Sequence, residues 1–323
     1  MNAERAARLF VIGLVLGLPL AAFAARGLAP RAIELHGTVS EQTGWTPDNL
    51  VVNAGEPLPL RLISDDVMHG FAVGQSRQAA LDVAPGEWTE TTLVFDRPGK
   101  YTFYCTRWCG PNHWRMRGTI EVRGAAPEEP PAPQPLYVTL GLDLDAPHPA
   151  EAVPARRPSP EGGASFSARL PARFLAPDYF RSHSPAQIFG ALRADPPWRS
   201  LNEAEVWDIV ALIWRSHTAP EQLAEARQLF AANCAACHGE TGRGDGVMAG
   251  ALINTDFSRD RKKPVDFTAP DLLGASPALL QGKIIRGGMG TGMPYWGPIF
   301  TEDQTWALAY FLYSFQFEAE AQP

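Results

Sequence analysis

Cysteine is scarce in this chain: four among 323 residues, Cys105, Cys109, Cys234 and Cys237, falling in two tight pairs. So low a count excludes a scaffold stapled by many disulfides, and both pairs have to be accounted for with no cysteine left over. An excess of positive charge is also missing. Lys and Arg number 28 against 35 Asp and Glu, a formal net charge of -7, which argues against nucleic acid and leaves a basic protein partner or no electrostatic steering at all. Histidine is sparse too, at seven. Disorder is not expected, because 45% of the residues are hydrophobic, enough to bury two or three ordinary domains.

What is present divides the chain. Residues 1–29 carry Arg5 and Arg8 ahead of an apolar run from Leu9 to Ala25. This reads as an export segment at the lower length limit for a membrane-spanning helix, with Ala22 and Ala24 offering a cleavage site if it is removed. We expect it to be retained as a single N-terminal transmembrane anchor in the plasma membrane, which places the bulk of the chain on the outer, periplasmic face. Residues 30–124 alternate apolar and polar side chains between AGE, APGE and RPGK turns, the pattern of an antiparallel β-sandwich. A proline-rich linker is expected over 125–163, its acidic start APEEPPAPQPL suiting a stiff spacer. From 164 onward the pattern is helical.

The helical half repeats itself. PARFLAPDYFRSHSPAQIFGALR from Pro171 matches PVDFTAPDLLGASPALLQGKIIR from Pro264, and SLNEAEVWDIVALIWRS matches IFTEDQTWALAYFLYS, so two related helical units are expected, 164–218 and 219–318. Only the second carries CAACH, residues 234 to 238. C-x-x-C-H is the attachment motif of c-type haem: Cys234 and Cys237 add to the vinyl groups and His238 is the proximal iron ligand. A thioredoxin-like pair would need a βαβ context that is missing, and a zinc site would need further ligands nearby. A methionine completes such a site. Met248, Met289 and Met293 are candidates, and Met293 in GTGMPYWGP is preferred because it sits on a glycine-rich loop before the last helix. That helix is expected to start at Thr301 with a T-x-x-Q capping box and to bury Trp306, Tyr310 and Phe311. The arrangement resembles class I cytochromes c. In the first unit the equivalent of MPYW is DPPW, with Asp195 where the methionine would stand. We therefore expect a haemless, degenerate cytochrome c-like unit whose Trp198, Trp207 and Trp214 are core residues, the alternative being a helical domain that converged on the same pattern.

The first cysteine pair lies in CTRWCGPNHWRM, residues 105 to 116. Thiolate, thioether and imidazole together select copper over calcium or magnesium. A Cys105–Cys109 disulfide and a zinc site are the plainer readings, and neither explains His69, His113 and Met116 as a set. With DVMHGF upstream, the pattern C-x-x-x-C-x-x-x-H-x-x-M resembles the binuclear CuA cupredoxin of haem-copper oxidase subunit II, over residues 30–124. That resemblance implies a Greek-key sandwich. It also implies that Cys105 and Cys109 bridge two coppers, that His69 and His113 bind one each, that Met116 is a weak ligand, and that the backbone carbonyl of Arg107 is the last. Many relatives carry at position 107 a glutamate that also binds magnesium; an arginine keeps the carbonyl and forfeits the magnesium.

The resemblance as a whole is to cytochrome c oxidase subunit II fused to a cytochrome c domain, caa3- or ba3-like. It implies a subunit of cytochrome c oxidase through which electrons enter, from covalent haem c to CuA and on to haem-copper oxidase subunit I. The oxygen-reducing site would lie in that partner and not in this chain. The donor would be a c-type cytochrome or a quinol-oxidising complex, and the linker would hold the two centres at a high effective concentration. A CuA-containing nitric oxide reductase and a free-standing periplasmic carrier remain alternatives. Nitrous oxide reductases, whose second cluster takes seven histidines, are excluded by count, and His36, His148, His183 and His217 are expected to face solvent.

Overall fold

The computed structural model describes residues 31–76, 78–110, 112–125, 133–250, 263–288 and 292–317, together with Val11 and Val15. The apolar run expected as an anchor therefore lies outside the described residues, apart from those two valines. Among the described residues no helix is long and apolar enough to cross a membrane.

Nine strands form among the described residues, most of them following the alternating pattern. Pro57–Ser64 (β4) buries every second side chain, and Asn49–Asn53 (β3) does the same, the period-2 signature of strands with one face in a core. Ile33–Gly37 (β1), Trp45–Thr46 (β2), β4 and Thr89–Val94 (β7) form one sheet in the order β2-β1-β4-β7. The second sheet runs β3-β9-β8-β5-β6, with His69–Val73 as β5, Leu81–Val83 as β6, Gly99–Tyr104 as β8 and Arg117–Arg123 as β9. Between the sheets Leu35, Trp45, Leu60, Leu62, Phe71, Phe103 and Ile120 form one core. The expected β-sandwich is thus observed, but it is not wholly antiparallel, since β1 pairs with β4 and β3 with β9 in parallel; the strands that flank the metal-ligand candidates, β5, β8 and β9, belong to one sheet.

The helical half has its own core, which is continuous from Leu144 to Phe317. Its longest helices are Pro185–Ala194 (α1), Glu203–Ser216 (α2), Pro220–Asn233 (α3), Pro277–Arg286 (α4) and Glu302–Leu312 (α5). Each starts where the chain supplies a cap or a proline: Ser184 with Gln187, Asn202 with Glu205, and Thr301 with Gln304 close reciprocal capping boxes, and Ser276 caps α4. These satisfy backbone donors that a helix end leaves open. Trp306, Tyr310 and Phe311 are buried as expected, and so are Trp198, Trp207 and Trp214.

The two copies of the repeat match in element order. The short helix Pro177–Ser182 precedes α1 and α2, as the aligned turn of 3-10 helix at Pro270–Gly274 precedes α4 and α5. Both α1 and α4 have ten residues, an N-cap serine and a proline in the first turn. The linker behaves differently from a spacer once it is described. From residue 133 it lies on the helical half: Leu144 is buried in that core, Asp145 takes two bonds from Arg286 (2.6 and 2.9 Å), and Arg156 is paired with Asp208. Proline content predicts stiffness, but the apolar and charged residues past Pro135 find partners far along the chain.

The four histidines expected to face solvent are partly exposed, but each also has a partner in the fold. His36 pairs with Asp65 at 2.9 Å, His148 bonds the Asp143 carbonyl, His183 stacks on Tyr179, and His217 lies parallel to Phe180 with ring centroids 4.2 Å apart. An aromatic neighbour or a carbonyl within reach is enough to half-bury an imidazole, which has an apolar body.

Candidate metal and haem sites

Strand ends gather the first cluster. His69 opens β5, Cys105 follows β8, and Met116 precedes β9, with His113 on the single turn His113–Arg115 between them. Asn112 takes the left-handed conformation (φ 54°) that swings this turn back toward the cysteines, a conformation asparagine tolerates better than most residues. The cross-strand bond from Cys105 N to the Met116 carbonyl (3.0 Å) sets the two ligand-bearing loops side by side.

The donor atoms converge. Cys105 Sγ and Cys109 Sγ are 3.9 Å apart, His69 Nδ1 is 3.8 Å from Cys105 Sγ, and His113 Nδ1 is 3.5 Å from Cys109 Sγ. Met116 Sδ lies 3.9 Å from Cys109 Sγ and the Arg107 carbonyl 3.2 Å from Cys105 Sγ. Both cysteines are free thiols, and a disulfide would need its sulfurs about 2 Å apart. His69, Cys105 and Cys109 bring their ligand atoms within 4.8 Å of one another, while His113 joins from the Cys109 side. Two imidazoles on opposite sulfurs are what a two-metal thiolate site needs. The Arg107 side chain points away and makes two 2.6 Å bonds to Asp82, so position 107 can contribute its carbonyl alone.

Electrostatics favour cations here. The Cys109 thiol, opposed by burial and helped by His113, His69 and the Gly70 N–H, pulls the Cys105 thiol far below its ordinary value. The same contact with Cys105, together with burial, pushes Cys109 up. One negative sulfur therefore holds the proton of its neighbour, and a metal cation is the natural agent to displace that proton. Burial works to lower His69, but its bonds to Cys105 and Asp66 outweigh burial and raise it.

Two residues here were not singled out from the sequence. Asp66 accepts from His69 Nε2 at 2.7 Å, which turns Nδ1 toward the sulfurs, the usual arrangement behind a metal-binding imidazole. Gly70 sends its N–H to Cys105 Sγ (3.4 Å), and a Cβ there would run into the Thr106 hydroxyl. The signal available was the glycine following a candidate ligand and the paired aspartates before it.

The second cluster sits at the end of α3. Cys234 is its C-cap, and Cys237 and His238 lie in the following turn, Ala235–His238. Burial pushes the Cys234 thiol up to about 12 and raises Cys237 as well, the opposite of the lowered value that a thiol–disulfide exchange pair requires. Burial lowers His238, keeping it neutral, and its Nδ1 lies 3.2 Å from the Val265 carbonyl. That leaves Nε2 as the ring nitrogen that could coordinate, with the Phe267 ring stacked at 4.6 Å. The donor set and its carbonyl anchor fit a c-type haem. Met293 is half-buried against the core that Cys234 and Ala235 also touch, and its carbonyl accepts from Gly288. Met248 is tied by its backbone to Ala236, and Met289 lies outside the described residues.

Comparison with known proteins agrees with both halves. Residues 39–123 match the family described as cytochrome c oxidase subunit II, periplasmic domain, and residues 221–312 match that described as cytochrome c oxidase, cbb3-type, subunit III. Two sequences of cytochrome c oxidase subunit 2 from Thermus thermophilus are 36% identical over 80 residues, 25% of this chain and 58% and 47% of those proteins. The chain thus spans about half the length of these relatives. Among solved structures, the periplasmic domain of cytochrome oxidase subunit II from Bradyrhizobium japonicum is 22% identical, covering 30% of this chain and 88% of that one at a TM-score of 0.26. Residues 39–123 are thus a cytochrome c oxidase subunit II cupredoxin domain, and the same polypeptide continues into a cytochrome c domain.

Proposed function

We propose that this chain is the subunit through which electrons enter a haem-copper terminal oxidase. It accepts them at the C-terminal cytochrome domain and hands them through the cupredoxin domain to a separate catalytic subunit that reduces oxygen. The observation that carries the reading is the convergence of His69, Cys105, Cys109, His113, Met116 and the Arg107 carbonyl at one end of the sandwich, in a chain that also carries CAACH. Copper in the first site and haem in the second supply one-electron chemistry. The protein's part is to hold their ligands: Asp66 orients His69, the Val265 carbonyl orients His238, and burial excludes water from Cys105 and Met116. A softer thioether beside two thiolates favours copper over zinc. For a haem, Cys234 and Cys237 would be the attachment points, and His238 Nε2 and Met293 would supply the donor atoms.

The unit over 164–218 is read as a cytochrome c-like unit that has lost its haem. Its Asp195 forms an ion pair with Arg173 at 3.0 Å, and its three tryptophans fill its interior. The N-terminal segment would anchor the chain so that both sites face the periplasm, beside the catalytic subunit. The test is purification from native membranes with metal analysis, optical spectra and identification of the co-purifying subunit. Two coppers and one haem per chain, with an oxygen-consuming partner, are expected. A partner that reduces nitric oxide would move the assignment to that reductase and keep every ligand. A soluble, solitary chain would make it a carrier.

A further inference from the structure

Between the two ligand clusters the structure has a contact for which a flexible tether gives no reason. Tyr104 and Arg117 are cross-strand partners at the ends of β8 and β9. Each is the chain neighbour of a copper-ligand candidate, Cys105 and Met116. Because side chains alternate along a strand, Cys105 and Met116 enter the cupredoxin core whereas Tyr104 packs against the helical core. Arg117 follows the same direction. Its Nη1 donates to the Tyr295 carbonyl at 3.0 Å, and its guanidinium lies 5.2 Å from the ring centroids of Tyr295 and of Trp296. Its Nη2 is buried, and among the described residues no hydrogen-bond acceptor meets it. Among the described residues Arg117 meets no carboxylate at this contact, only π faces and a carbonyl.

The contact continues along the next strand. Gln75 N donates to the Ile299 carbonyl and Gln75 Nε2 to the Gly297 carbonyl, both at 2.8 Å. Gly74 is buried, and a Cβ there would run into the Pro298 carbonyl oxygen and the Ile299 backbone. The segment so held, 295–299, begins two residues after Met293. A desolvated cation over two aromatic rings with three hydrogen bonds to backbone carbonyls is a specific, well-packed contact, not the loose encounter of two tethered domains.

We propose that the ends of β5, β8 and β9 are a built-in docking face for the 295–299 segment, with Arg117 as its clamp, so that the Met293 loop and the Cys105–Met116 strand pair form one fixed electron-transfer junction. This rests on the functional reading above and goes beyond it by replacing tethering with docking. The step it would serve is the passage of one electron from haem to the copper pair, in which no bond would form or break and no proton would move. Arg117 and Tyr104 are positioning residues in it, since neither is among the ligand candidates.

The test uses the full chain in detergent with Gly74→Val, which wedges the contact from outside both ligand sets, and Arg117→Met, which keeps the packing volume and removes the clamp. Amide hydrogen exchange at Gln75 is read together with the rate of electron redistribution after flash photoreduction, with copper and haem content measured on the same samples. Loss of Gln75 protection by about tenfold or more, together with slowed redistribution at unchanged cofactor content, is the expected result. Unchanged protection and rate in both variants, with both cofactors bound, would overturn the docking. A wild-type chain without copper or haem would instead sink the functional reading, and Gln75 exchange would still decide whether the face is docked. If Gly74→Val does not fold, Arg117→Met alone decides.

Discussion

Replacing Asp66 by alanine separates the two jobs that a carboxylate behind a metal ligand performs. In the native chain His69 is fully buried with Nε2 at 2.7 Å from Asp66 Oδ1, and Asp66 also accepts from Val39 N (2.7 Å) and Val67 N (2.6 Å). Removing it leaves Nε2 unpaired in the core, at a cost of about 1–3 kcal/mol in stability, and that cost falls on the metal-free and loaded forms alike. It therefore cancels from the copper affinity. What remains in the affinity is loss of ring orientation and of donor strength, about 10–100-fold by the behaviour of such outer partners. Asp66→Asn keeps an acceptor and removes the charge, so it should recover most of the stability and only part of the affinity. Copper affinity is read by competition with a chelator, and stability by urea unfolding of the metal-free chain. If Asp66→Ala binds copper as tightly as the native chain while losing stability, the assignment of Nδ1 as the coordinating atom is wrong.

Other outcomes follow from the same geometry. Cys109→Ser removes the sulfur that His113 and Met116 both approach, so metal analysis should find fewer than two coppers per chain, and retention of two would refute a bridging role. Arg156→Ala leaves Asp208, whose side chain is 6% exposed, with the Ser159 N–H as its one remaining partner among the bonds described here. Because Arg156 is itself about half exposed, the loss should be about 1–3 kcal/mol rather than the full cost of an abandoned buried charge, seen as a lower Tm for the helical half; no change would refute the pairing. His217 is lowered by burial, helped by the nearby Arg181 charge and opposed by a bond to the Phe174 backbone. A base with a depressed folded pKa makes no difference above the unfolded value near 6.5 and costs stability as the pH falls below it, since only the unfolded chain then takes up the proton. His217→Phe should flatten the acid slope of stability by up to one proton, and an unchanged slope would show that other groups carry it.

Both ligand sets were readable because each is largely local. Residues 105 to 116 hold four side-chain donors within one loop and turn, and CAACH holds both thiols and the imidazole within a single helical turn. In such stretches spacing nearly determines geometry. The start of the last helix was readable for the same reason, since Thr301 acts on the Gln304 amide three residues away. The adjacent aspartates mark where this stops. Asp65 and Asp66 are equivalent as letters, but the turn sends Asp65 to His36 and Asp66 to His69. That choice depends on the pairing of β1 with β4, which places His36 beside Ile63.

The linker and Arg117 fail to show in the sequence for a further reason. A proline-rich, acidic stretch has the composition of a spacer whether or not its later residues find partners, and Arg157 reaches the carbonyls of Ser314 and Phe317, more than 150 positions away. An arginine alternating with buried residues along β9 reads as the solvated face of an edge. It is half-buried because the second domain covers that face, and no local pattern carries this information. Two soluble-looking faces, each unremarkable alone, become an interface when Gln75 and Arg117 on one side meet Ile299 and Trp296 on the other. The candidate ligands could thus be picked out from sequence, whereas the residues at which the two domains meet required the fold, because a ligand set lies largely within one loop and docking is agreement between surfaces that the chain order keeps apart.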